Sequence, residues 1–543
     1  MKTGADVLVE CLARRGVRRL YGMPGSHSTT IYDALARAGT IRTFLFRNEQ
    51  AAAFAADGAA RVTGEPGVVC TTAGPGATNA LTGVAECWAD SVPILLIAGQ
   101  VNSDALDREC GNYHEIDLEG IFRPVTKWCG TLRRVDQVPA LVGRAFEAMT
   151  RGRPRPSALF VPQDLMRVPC PTSAEILAFP PPPAPTVPAD AIVGAARILA
   201  EARRPIILAG GGALWSGAAG AIESLARRLG APVVTTLNAK GLIDERSPIS
   251  LGHARSARAR VALPHADAML AVGCRFTEVF TDWRRMAVPS RLVQIDLDPE
   301  QIGMNVPVVA GIVADADAAC RALLEALPHS RGPQGSDWGE LWDEARAARH
   351  PRPEWLIETL RSVLPDDAPV FTDACEIGYR MQADWPSFVP RAFFYPSNYI
   401  TLGWAFPAAV GAAAALGDRP VVSVSGDGGF VMAAQELATA ARYGLRIIAI
   451  VHNDSTLGAI KNIQDRANEG RYIDTELNNP DFLGLAAAFG VPGRRARTPE
   501  ELTAAVREAV DRGGPSLIEV PDRWRFLRDL ANPVRSPAPT TTE

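Results

Sequence analysis

Pro420-Val421-Val422-Ser423-Val424-Ser425-Gly426-Asp427-Gly428-Gly429, then an Ala-rich stretch, then Ile447-Ile448-Ala449-Ile450-Val451-His452-Asn453-Asp454, is the segment that decides the fold. A β-branched run, a glycine turn, a helical window over roughly Ala433 to Tyr443 and a second β-branched run make one βαβ unit. Right-handed crossover sets the two strands side by side and parallel, so the residues following each emerge at one edge of the sheet. Asp427 and Asp454, 27 residues apart, therefore converge. Two carboxylates beside glycines suit a magnesium ion that is also held by phosphate oxygens, and a diphosphate is its natural partner. Gly426, Gly428 and Gly429 leave room for the phosphates, and the helix over Ala433 to Tyr443 directs its positive end at them. Gly-Asp-Gly alone also fits a plain turn before a helix. The second strand ending in Asn453-Asp454 is what favours the diphosphate site.

The same rhythm extends along the chain. Strand candidates are Thr43 to Arg47, Val68 to Thr71 and Ile94 to Ile97, then Pro205 to Ala209, Val233 to Thr235, Ala268 to Val272 and Leu292 to Ile295, then Pro369 to Thr372, Val421 to Val424, Ile447 to Val451 and Ser516 to Val520. Alternation with helical windows predicts three α/β domains, each a mainly parallel sheet flanked by helices. Two segments rich in residues that prevent regular structure read as connectors: Pro169 to Pro188, containing Phe179-Pro180-Pro181-Pro182-Pro183, and Leu327 to Pro353. The expected domains are 1–170, 189–328 and 353–532, with a disordered tail from about Pro533. The first and third blocks share a rhythm but no residue-level repeat.

At 543 residues the chain exceeds one hydrophobic core, and three domains fit its length. A formal charge of -4, with 47% hydrophobic and 21% charged residues, gives no basic bias toward nucleic acid or an anionic membrane. A small-molecule partner is the expectation. The N-terminal residues lack the unbroken apolar stretch of a signal peptide, and no apolar run reaches the length that spans a bilayer. Nine cysteines without a C-x-x-C pair support neither a disulfide framework nor a zinc site, and cytoplasmic localisation follows.

From Met1 to about Arg528 the chain resembles the acetolactate synthase and benzoylformate decarboxylase branch of thiamine diphosphate enzymes. The resemblance rests on Tyr21-Gly22-Met23-Pro24-Gly25, Arg47-Asn48-Glu49-Gln50-Ala51-Ala52, Thr72-Ala73-Gly74-Pro75-Gly76-Ala77-Thr78-Asn79, Ile295-Asp296-Leu297-Asp298-Pro299, Gly403-Trp404-Ala405-Phe406-Pro407-Ala408-Ala409 and the metal motif. It implies pyrimidine-binding, central and diphosphate-binding domains in turn, with thiamine diphosphate and Mg2+ as cofactors. It also implies that Glu49 pairs with the pyrimidine ring and drives the proton transfers that activate the thiazolium carbon. Without the resemblance, Glu49 would read as a surface residue opening a helix over Gln50 to Val62. Leu402 matches the apolar residue that bends the cofactor, and is otherwise ordinary core. Thr72, Pro75, Asn79 and Asn453 are implied cofactor contacts, and Thr456 joins Asp427 and Asp454 as an implied metal ligand. By analogy the protein is a homodimer or homotetramer with active sites between subunits.

The family's shared chemistry is decarboxylation of a 2-oxo acid, followed either by protonation and aldehyde release or by joining to a second carbonyl compound. Tyr113-His114 stands where acetolactate synthases carry Phe-Gln, so His114 is a candidate proton donor or a structural loop residue. Ile463 stands in place of a tryptophan that shapes the second-substrate site. Ser26 is a candidate contact for the substrate carboxylate, or a turn serine. Glu376 replaces an uncharged residue near the diphosphate, so it turns away, pairs with Arg380, or meets a basic 2-oxo acid. Leu251 to Ser256 lacks the Met-His-Gly pattern associated with flavin, and no functional flavin is expected. Asp296 and Asp298 then read as remnants of a nucleotide-type fold. The leading reading is a 2-oxo acid decarboxylase or carboligase; the alternatives are a true acetolactate synthase and a catalytically silent thiamine diphosphate-binding protein.

Overall fold

Among the described residues, eighteen short strands assemble into three six-stranded sheets, and every pairing inside them is parallel. The structure, a computed structural model, describes residues 2–171, 186–328, 336–349 and 354–523. The Phe179 to Pro183 run and the tail from Pro533 lie outside the described residues. Among the described residues no helix is long and apolar enough to cross a membrane.

All eleven predicted strands are present, with ends shifted by three residues at most. The unforeseen ones include Arg19–Gly22, Trp128–Thr131, Ser157–Pro162, Ser250–His253, Ala310–Val313 and Gly493–Arg495. Several are edge strands of mixed polarity, such as Arg494 and Arg495 in an exposed pair, and edges carry a weak hydrophobic signal. Two expectations need correction. The helix after the glycine turn does not start at Ala433: a short helix, Asp427–Val431, begins on the motif aspartate, and a separate helix, Leu437–Tyr443, follows a 3-10 turn. Leu327 to Pro353 is not all connector either, because it contains the helix Gly339–Ala347, anchored by a buried Trp338 whose Nε1 donates to Pro205 O at 3.0 Å.

In chain order, the strands of the first and third sheets follow the same spatial sequence, second-first-third-fourth-sixth-fifth, whereas the middle sheet runs third-second-first-fourth-fifth-sixth. Where the connections from two neighbouring strands lead to opposite sides of the sheet, the loops leaving those strands splay apart into a crevice. For the first sheet the crevice lies beyond Gly22 and Thr71, and for the third beyond Thr372 and Gly426. Those are the positions of the quoted motifs.

The first and third domains share one core. Helices Glu49–Thr63 and Ala405–Leu416 are buried almost all round by their alanines, each buried methyl contributing about 0.8 kcal/mol. They cross at backbone contact. A Cβ built on Gly58 would lie 2.0 Å from Ala408 O, and one on Gly411 would lie 2.0 Å from Ala55 O.

Candidate active site

Asp427 is buried at the start of its helix, and its Oδ2 accepts from Asn479 Nδ2 at 2.6 Å while Oδ1 accepts from Gly428 N at 3.0 Å. Asp454 follows the neighbouring strand, Ile447–Asn453, and its Oδ1 accepts from Thr456 N at 3.1 Å. Burial first, then the nearby Asp427 charge, push Asp454 up to about 6, and burial raises Asp427 as well. Two half-desolvated carboxylates that repel each other are a place a divalent cation would neutralise. Thr456 is buried beside them, its hydroxyl donating to Asp454 O at 3.2 Å. Asn453 is engaged by protein: its Nδ2 donates to Glu519 Oε1 at 2.8 Å and its Oδ1 accepts from Asn479 at 3.0 Å. Among the described residues no three His, Cys, Asp or Glu side chains cluster. The two-carboxylate, all-oxygen set fits Mg2+ whose remaining positions are filled by phosphate oxygens and water.

Around this site the glycines let walls close in. An added Cβ would meet Cys375 Cβ at 2.8 Å from Gly426, Leu457 and Leu477 at 3.1 Å from Gly428, and Asp373 Oδ2 at 3.1 Å from Gly429. Leu402, 38% exposed, sits on a turn whose Gly403 would carry a Cβ 3.1 Å from Gly429 O, so its side chain belongs to the rim of the same site rather than to the core. Asp373 anchors that turn: its Oδ1 accepts from Trp404 N at 3.1 Å and Ala405 N at 3.2 Å, and burial pushes it up to about 6. Glu376 opens the helix Glu376–Asp384 and acts electrostatically on His452, while Arg380 pairs with Asp384 at 3.2 Å.

At the other crevice, Glu49 is 4% exposed, which overturns a surface role. It is the first residue of its helix, capped by Asn48, and its Oε2 accepts from Asn79 Nδ2 at 3.0 Å. Oε1 lies 3.2 Å from where a Cβ on Gly76 would stand. Pro75 opens the helix Pro75–Asp90, whose N-terminus has no side-chain cap. Thr72 Oγ1 accepts from His27 N at 3.3 Å. Ser26 Oγ lies 3.2 Å from His27 Nδ1, and the His27 and His114 rings are 5.4 Å apart, with Tyr113 stacked on His114 at 3.8 Å. Burial, and then His114, hold His27 below the usual imidazole range. His114 Nδ1 is buried without a hydrogen-bond partner among the described residues, and its backbone has φ +67°.

Sequence reading thus named Ser26, Thr72 and His114, which the fold brings together, but missed His27, Asp373 and Asn479. His27 adjoins Ser26 in the Pro24-Gly25 motif and was within reach. Asn479 lies 52 residues beyond Asp427 in an irregular segment that no periodicity marks. In the middle domain Asp296 borders a cavity of about 350 Å³ with Gly211, Gly212, Arg153 and Arg275, at that sheet's own crevice, while Asp298 caps the following turn.

Known protein families match all three domains. Residues 2–121 match the N-terminal TPP binding domain of thiamine pyrophosphate enzymes, 192–323 the central domain and 378–520 the C-terminal TPP binding domain. The chain belongs to the thiamine pyrophosphate enzymes. Within that family it is 34% identical to a probable acetolactate synthase large subunit of Methanocaldococcus jannaschii, over 95% of this chain and 91% of the relative. It is 33% identical to the acetolactate synthase isozyme 3 large subunit of Escherichia coli over 94% and 92%, and 34% identical to a probable 2-ketoarginine decarboxylase of Pseudomonas aeruginosa over 95% and 94%. This is an acetolactate synthase-like thiamine pyrophosphate enzyme, with the three-domain architecture expected of one.

Proposed function

We propose that the protein decarboxylates a 2-oxo acid with thiamine diphosphate and Mg2+, then releases an aldehyde or joins the bound fragment to a second carbonyl compound. The observation that carries this reading is the grouping of Ser26, His27 and His114 beside the loop that leads to Asn79 and Glu49. When bound, thiamine diphosphate supplies the nucleophilic carbon and the electron sink. Asp427, Asp454 and Thr456 hold the metal and through it the diphosphate. Glu49 moves a proton at the pyrimidine ring, with Asn79 fixing its carboxylate. Leu402, at the rim, would pack against the cofactor when it is bound and help hold its conformation. Ser26 and the histidines face the substrate, where an imidazole gives or takes a proton near neutral pH. No flavin enters the reaction, which involves no net redox change.

As to the substrate, we favour a 2-oxo acid with a basic side chain. The support is a relative named as a 2-ketoarginine decarboxylase, together with the carboxylate of Glu376, whose charge is felt at His452, two residues before Asp454. A true acetolactate synthase is the second reading, favoured by the names of the Methanocaldococcus jannaschii and Escherichia coli relatives and opposed by Tyr113-His114 and Ile463. An active site shared between subunits is what the family resemblance implies. The deciding experiment offers pyruvate, aromatic and basic 2-oxo acids to the holoenzyme and identifies the products. Carbon dioxide with an aldehyde from a basic acid supports the proposal; acetolactate from pyruvate replaces it with the second reading.

A further inference from the structure

Two buried glutamates that no catalytic step uses stand in matching places. Glu86, on the helix after the third strand of the first sheet, accepts at Oε2 from Thr401 N at 3.1 Å and Thr401 Oγ1 at 2.8 Å. Glu436, after the third strand of the third sheet, accepts at Oε1 from Arg47 N at 3.1 Å and at Oε2 from Thr439 Oγ1 at 2.6 Å. Each glutamate thus reaches into the other domain and holds the backbone just ahead of the helix that follows that domain's second strand. Both are 0% exposed, and burial pushes Glu86 up to about 8 and Glu436 up to about 7. What each backbone carries is functional: Arg47 is two residues before Glu49, and Thr401 is one residue before Leu402.

The Thr401 segment also needs holding. Ile400, a β-branched residue, has φ +61°, a conformation that persists only where surrounding contacts over-determine it. Besides Asp373 within its own domain, the first domain supplies much of that hold. Asp90 accepts from Ser397 N at 2.9 Å and Asn398 Nδ2 at 2.6 Å, Asp57 accepts from Trp404 Nε1 at 2.6 Å, and Arg61 bridges Asp57 and Asp90.

We infer that Glu436 and Glu86 are reciprocal positioning residues, one setting Glu49 and the other the Leu402 turn, so that each domain's buried carboxyl aligns the cofactor-activating element of the other. The inference rests on the proposed roles of Glu49 and Leu402. An ordinary buried carboxyl at a domain contact would stabilise the fold without selective effect on the cofactor.

The test compares Glu86→Ala, Glu86→Gln and Glu436→Ala with wild type, with Glu49→Gln and Leu402→Ala as controls. In the cofactor-free protein, amide hydrogen exchange at Thr401 rises in Glu86→Ala, and at Arg47 in Glu436→Ala, with the rest of each domain unchanged. In the holoenzyme, deuterium exchange at the thiazolium C2 of thiamine diphosphate and kcat both fall about tenfold to a hundredfold, as sub-ångström misplacement of a reacting group does, while KM changes little and Glu86→Gln restores both. Should the alanine variants not fold, Thr401→Val, which removes only the hydroxyl donor, is read the same way and loses several-fold in C2 exchange. Normal C2 exchange in the glutamate variants, or loss explained wholly by lower cofactor occupancy, overturns the positioning role while the controls still lose activity. Normal exchange in Glu49→Gln and Leu402→Ala overturns the underlying reading, and the inference with it.

Discussion

Asn79 Nδ2 donates to Glu49 Oε2 at 3.0 Å, so the one carboxylate buried at the first domain's crevice is gripped by a group that neither gives nor takes a proton. Its other oxygen, facing Gly76, stays available for transfer. Glu49→Gln should therefore keep thiamine diphosphate affinity within about threefold and lose about 10²- to 10⁴-fold in kcat, the range for removing a general acid-base group. Titration of bound cofactor alongside steady-state rates checks this, and an unchanged kcat would remove Glu49 from the reaction.

Asp427→Ala should weaken Mg2+ and thiamine diphosphate together, because the ion links them. Calorimetric titration with each in the presence of the other reads the coupling. Normal affinity for both would mean that the carboxylate pair serves only the protein.

His114→Ala should lower aldehyde release by about 10²-fold, the scale of one proton-transfer group, and raise any carboligation product at its expense. Chromatography of the products gives the ratio. If the ratio is unmoved, His114 is a loop residue whose ring packs between Tyr113 and His27.

Gly58→Ala should destabilise the protein by about 3 kcal/mol or leave it insoluble, since overpacking a tight core costs on this scale and the new Cβ would overlap Ala408 O. Thermal unfolding beside an exposed-site control such as Gly194→Ala, where nothing lies within 4 Å, isolates the effect.

Glu86 also gives stability a pH signature. Its folded-state value, about 8, is raised from 4.5 by burial and by Asp90 and Asp57, with Arg61 opposing. A raised carboxyl contributes stability that is fully present below 4.5 and lost as pH rises through about 8. Glu86→Gln cannot ionise, so its stability relative to wild type should climb between pH 5 and 9, by on the order of 1–3 kcal/mol. Parallel denaturation curves that keep a constant offset across that range would show that Glu86 does not titrate there.

How much of this was legible in the chain depends on the range of the signal. Buried strands such as Pro205–Ala209 and Ala268–Val272 were read with their full limits because short continuous apolar runs between turn residues are local signals. The Asp427 and Asp454 convergence was legible because crossover handedness turns a spacing into a location. The helix start at Asp427 was misplaced because Phe430-Val431-Met432 carries no periodicity in so short a turn. The common strand order of the outer sheets left no trace, since pairing order is set by which hydrophobic faces meet and not by local sequence. Glu86 and Glu436 were invisible for the same reason: their partners lie 315 and 389 residues away.

The backbone-close crossing of Gly58 and Gly411 has a practical outcome for anyone dividing this polypeptide. Cutting at the two connectors would strip each outer piece of the partner that covers its alanine-lined helix, and both fragments should precipitate when expressed singly. The middle piece has a core cluster of its own, but it should be produced together with the Trp338 helix, which packs into a second cluster of that domain.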